Sequence, residues 1–105
     1  MNRPPVQLGS VVLSRAGRDN GRYFVVVGQA DDEHVLIADG RLRKVESPKK
    51  KKLKHLTSKP ACMSEIQIKL DKGELIQDAQ IRKFLASNGF EPNDKQEEGY
   101  FVQGR

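Results

Sequence analysis

The order of apolar and polar residues divides the chain at about residue 60. Before that point the apolar positions run in short blocks or alternate with a period of two. Such blocks, bounded by Gly, Pro, Asn and Asp, read as strands. Val6 to Ser14 predicts the first strand and Arg22 to Gly28 the second, with Arg15 to Arg22 as the loop between them. Asn20-Gly21 marks the tight part of that loop, since Gly tolerates positive φ and Asn tolerates it better than most residues. Gln29 to Glu33 is a polar, acidic turn, and His34 to Ala38 a third strand. Asp39-Gly40 is a two-residue hairpin signal. The alternation of Arg41 to Val45 predicts a fourth strand with Leu42 and Val45 toward the core, ended by Ser47-Pro48. After Lys49 to Lys52, Leu53 to Thr57 supplies a short last strand. Five short antiparallel strands with tight turns predict a small, mainly β barrel over residues 1–58.

Beyond a boundary at Lys59-Pro60-Ala61 the period changes toward 3.6, predicting a short α-helical appendage over residues 59–92. Ser64 and Gln67 fit a capping box, and Gly73 closes that helix. Ile66, Ile68 and Leu70 also alternate as a strand would. Asp78 caps a second helix running to Asn88, with Ile81, Phe84 and Leu85 on one face and Gly89 just past its end. Phe90 folds back on that end and Pro92 stops it. Residues 93–105 read as a disordered tail apart from Tyr100-Phe101-Val102, and Arg3-Pro4-Pro5 as a frayed start.

Charge sharpens the division. The net charge is +5, made of +7 in residues 1–60 (13 basic, 6 acidic) and −2 in residues 61–105 (6 basic, 8 acidic). The basic half points to a polyanion partner. Its cations fall into two groups. Arg15, Arg18 and Arg22 are interleaved with Gly17, Asn20 and Gly21, which let a backbone approach closely, and arginine forks bind phosphate or stack on bases. The span from Arg41 to Lys59 holds nine cations and one acid, Glu46. Of these, Arg41, Arg43, Lys44, Lys49, Lys50, Lys51, Lys52 and Lys54 are the candidate phosphate ligands. Tyr23 and Phe24 alternate faces, so one fills the core and the other is placed to stack a base.

Gly9-Ser10-Val11-Val12, Gly17-Arg18-Asp19-Asn20-Gly21-Arg22 and Val25 to Val27 together resemble the KOW motif, a hairpin with a basic, glycine-bearing turn. Gly21 stands at the motif's defining glycine and Arg22 at the basic residue after it. Tyr23 and Phe24 stand where a second glycine usually follows. Val35 to Val45 extends the resemblance to small bacterial KOW-domain RNA-binding proteins, and the whole is similar to a KOW-bearing large-subunit ribosomal protein family of archaea and eukaryotes. The resemblance covers roughly the first half of the chain. It implies an SH3-like barrel and binding of RNA, ribosomal RNA first, with ribosomal proteins as further partners. KOW barrels in elongation factors also bind polymerase or ribosomal proteins, so a protein-interaction module is the alternative.

Other chemistry is not signalled. His34, His55 and Cys62 have no metal-ligand spacing, Asp31-Asp32-Glu33 reads as a solvated turn, and no nucleophile elbow or phosphate-cradling loop appears. The expectation is therefore a monomeric, non-enzymatic protein without cofactor or metal. The single cysteine excludes an internal disulfide, and no apolar run suits a leader or a membrane span, so the expected location is the cytoplasm.

Overall fold

Val11, Val12, Val25 and Val26 sit in neighbouring strands with their side chains alternately on two opposite faces, and both faces are buried. That double burial explains why the strands read as apolar blocks rather than as clean alternation. The structure, a computed structural model, describes residues 6–90. Its five antiparallel strands are β1 (Ser10–Ser14), β2 (Tyr23–Asp31), β3 (His34–Ala38), β4 (Lys49–Lys52) and β5 (Leu56–Cys62). Two helices follow, α1 (Ser64–Asp71) and α2 (Asp78–Ser87). The strand order is β4-β3-β2-β1-β5, an open sheet with β4 and β5 as its edges.

One face gathers Val12, Phe24, Val26, Val35, Ile37 and Leu56, with Leu8 and Leu53 against them. On the other, Val11, Val25 and Ala38 meet Met63, Ile66, Ile76, Ile81 and Leu85 from the helical part. Full burial of side chains such as Phe24, Ile37 and Ile81 contributes about 1.5–3 kcal/mol each relative to exposure. The helices are thus the second layer of the fold. Arg82 Nη1 also donates to Gly40 O at 2.8 Å and Val45 N to the Asp78 carboxylate at 2.8 Å.

Several expectations are corrected. Residues 41–45 form no strand. Instead the Asp39 carboxylate accepts the N–H groups of both Arg41 and Arg43 at 2.9 Å, and Asp39 and Gly40 donate to Arg43 O, which closes a local loop. Side-chain capping by Asp has outcompeted the hairpin that Asp39-Gly40 suggested. Leu42, expected inward, is 60% exposed, whereas Val45 does pack on the core. The fourth strand is the lysine run itself, paired with β3 from His34–Lys52 to Ile37–Lys49. Residues 29–31 belong to β2, and only Asp32-Glu33 turns, since Asp31 pairs with His34.

The first strand, Ser10–Ser14, lies within the stretch from Val6 to Ser14 expected to hold it. The last begins at Leu56, after a 3-10 turn over Leu53–His55, and runs through Lys59, Pro60 and Ala61. An irregularity in its pairing spans these residues, from Val12–Ser58 to Ser10–Cys62. Pro60, which has no N–H to donate, is tolerated there because β5 is an edge.

Ser64 is the first residue of α1, not its cap, and Met63 precedes it without a side-chain cap bond. A capping box forms instead at α2 between Gln77 and Gln80, so Asp78 opens the helix rather than capping it. Beyond α2 the expected ending forms: Gly89 has φ +80°, its N–H reaches Ala86 O, and Phe90 N reaches Leu85 O. Phe90 then lies against Tyr23, ring centroids 5.0 Å apart. The expectations for Arg3-Pro4-Pro5, Pro92 and residues 93–105 lie outside the described residues.

Candidate functional site

The loop from Arg15 to Arg22 is built by two glycines and one buried acid. A 3-10 turn occupies Gly17–Asp19. Asp19-Asn20-Gly21-Arg22 is then a type II turn: Asn20 has φ −55° and ψ 130°, Gly21 has φ +86°, and Arg22 N donates to Asp19 O at 3.1 Å. Gly21 therefore carries the positive φ, and Asn20 does not need it. Gly21 N donates to Ser14 O and Ser14 N to Arg22 O, closing the base of the loop.

Asp19 is buried, 3% exposed at its side chain. The Arg43 guanidinium reaches its carboxylate with Nη2 at 3.1 Å and Nε at 3.3 Å from Oδ2. Lys51 Nζ lies 3.9 Å from the same oxygen and donates to Ala16 O at 3.1 Å. Arg15 N donates to His55 O at 2.8 Å. Three separate segments thus converge on the loop: Arg43 from the loop after β3, Lys51 from β4, and His55 before β5.

Pairing within the sheet sorts the lysines. Lys49 and Lys51 oppose Ile37 and Val35 and share their face, while Lys50 and Lys52 oppose Leu36 and His34 on the other. Lys51 is only 10% exposed at its side chain, and Lys49 is half-buried. Lys50 stands 3.8 Å from Asp31, an exposed pair worth little. The Asp31 carboxyl also takes His34 Nδ1 at 2.8 Å, and it lies below the usual carboxylate value, first through the His34 hydrogen bond and then through the Glu33 N–H.

Arg15, Arg18, Asn20, Arg41, Lys44, Lys52 and Lys54 are exposed. Arg22 is half-buried, and its Nε is buried without an acceptor. Phe24 fills the core, and Tyr23 is half-buried on the helical side beside Phe90. Gly17 has φ +73°, and a Cβ there would lie 3.3 Å from Lys51 Nζ. Asp19 is the residue that sequence reasoning passed over. Its signal was available: one acid inside a loop of three arginines has to be either repelled from the site's task or turned inward.

Among the described residues, no group of three or more His, Cys, Asp and Glu is placed to hold a metal ion, and no helix is long and apolar enough to cross a membrane. No protein-family model and no curated protein matches the chain.

Proposed function

We propose that the chain is a non-enzymatic, cytoplasmic RNA-binding protein that contacts ribosomal RNA or the ribosome, and that its five-stranded sheet belongs to a KOW-type, SH3-like barrel. The observation that carries the reading is the junction of two basic segments. Lys51 of the lysine strand donates to Ala16 O of the arginine loop, which sets the start of that loop against β4. The return of β5 onto β1 supports the barrel reading. Affinity comes mainly from phosphate contacts, with limited reading of bases.

Each phosphate neutralised releases a counterion, so a site covering about five to seven phosphates gives a log K against log salt slope of about −4 to −6. Titration of a fluorescein-labelled RNA stem-loop across a salt series measures it. Changing Lys49 and Lys52 together to Gln flattens the slope by about one unit per engaged lysine. A flat wild-type slope removes the reading.

A second reading, a KOW-type module binding a ribosomal or transcription protein, has its own observation. Ile68, Leu70 and Leu75 are exposed within one short stretch of the helical part. Ile81 of α2, by contrast, is buried in the core. RNA binding lost on the Gln changes with ribosome association retained would favour this second reading.

A further inference from the structure

A carboxylate in a loop that meets phosphate lowers the attraction. Asp19 nevertheless sits between Arg18 and Asn20, and it is the one acidic residue between Gly9 and Gly28. A buried carboxylate is costly unless paired, and Asp19 is paired twice, with Arg43 and with Lys51. Its backbone is committed as well, because its carbonyl accepts the Arg22 N–H that closes the type II turn. With Asp19 turned inward, its neighbours Arg18 and Asn20 are exposed. Lys51 fastens the start of the loop at Ala16 and its centre at Asp19. Arg43 carries the connection on: its N–H is held by Asp39, and the loop after Asp39 is tied to α2 through Val45–Asp78 and Gly40–Arg82.

We propose that Asp19 is the positioning residue of the RNA-binding loop, fixing the outward display of Arg18 and Asn20 by drawing Arg43 and Lys51 away from phosphate. This rests on the RNA-binding reading. It divides the cations by task. Arg15, Arg18 and the exposed lysines meet the polyanion, and Arg43 and Lys51 hold the surface that presents them. A preformed loop loses less freedom on binding than a mobile one, which is where the gain in affinity arises.

Simple charge counting and positioning make opposite predictions for one substitution. Asp19→Asn removes a negative charge and releases two cations, so charge alone predicts tighter binding. Positioning predicts weaker binding, by about tenfold for a few side chains that must be ordered again. The salt slope should stay as steep or steepen, because no phosphate ligand has been lost. Asp31→Asn makes the same charge change at an exposed site and should bind as wild type or slightly tighter. The measurement is fluorescence anisotropy of the full chain with the labelled RNA stem-loop across a salt series.

Weaker binding of Asp19→Asn with an undiminished slope supports the proposal. Binding equal to or tighter than that of Asp31→Asn overturns it and leaves RNA binding standing. A wild type that binds no RNA overturns both. Should Asp19→Asn fail to fold, Arg43→Lys serves in its place. It keeps the net charge and loses the fork on Asp19, so several-fold weaker binding at an unchanged slope is expected, and full affinity overturns the proposal.

Discussion

Two loops of the basic half each bury one aspartate, and they satisfy it differently. In residues 39–48 the Asp39 carboxylate is filled by backbone N–H groups, those of Arg41 and Arg43. In residues 15–22 the Asp19 carboxylate is filled by the charged side chains of Arg43 and Lys51. A carboxylate capped by backbone consumes no cation, so the Arg41 side chain remains exposed. A carboxylate filled by side chains removes cations from the surface and joins segments far apart in sequence. The first device shapes one loop, whereas the second ties three segments together. Arg43 serves both, with its N–H on Asp39 and its guanidinium on Asp19.

The largest effect should come from Gly40, where the loop of residues 39–48 meets α2. A Cβ there would lie 2.5 Å from Asp78 O and 2.9 Å from Arg82 Cγ, at φ +78°. Gly40→Val should therefore destabilise by about 3 kcal/mol or more, adding overpacking to backbone strain. A loss below about 1 kcal/mol in a denaturant titration would mean that this loop leaves α2 without consequence.

Asp39→Ala should cost about 2–3 kcal/mol, because two N–H groups lose their acceptor. Asp39→Asn keeps an acceptor oxygen and should recover more than half of that loss in the same titration. Equal losses would show that charge rather than capping is what matters.

Gly21 has φ +86° but open space around it, with nothing within 4 Å of a Cβ. Gly21→Val should cost only the backbone term, about 1–2 kcal/mol. A midpoint shift as large as that of Gly40→Val would show that the arginine loop is packed more tightly than the distances indicate.

The smallest effect concerns pH. His34 and the Glu33 N–H stabilise the charged form of Asp31, so its folded-state pKa lies below the usual carboxyl value. The stability this contributes is present above the ordinary carboxyl range and is lost as pH falls through the lowered pKa. Observed by NMR, Asp31 should titrate below the usual midpoint of about 3.9, and His34→Ala should raise that midpoint. No change in the variant would mean that the His34 contact is absent in solution.

The sheet's inner strands were legible because the apolar runs at 11–13, 23–27 and 35–38 have no competing local chemistry. Arg41 to Val45 was misleading for the opposite reason. Its alternation is real, but Asp39 offered nearby N–H groups a nearer acceptor than a neighbouring strand. Lys49–Lys52 carries no alternation, and only its pairing with β3 makes it a strand. The cations of the candidate site were legible as residue types. Which of them point inward was not, since Asp19 and Arg43 are 24 residues apart and their meeting depends on the finished fold.

The lysine strand has one more consequence. An unpaired outer strand is a template on which another chain can extend a sheet, and native proteins blunt such edges with lysine, proline and irregular pairing. Both outer strands here carry these devices. β4 is lysine throughout, so an identical strand laid beside it would be repelled. β5 has Pro60 within an irregular stretch of pairing. An open five-stranded sheet can therefore stay at five strands in a crowded solution, and removing the lysine charges would expose it to fibre-like stacking before it unfolded.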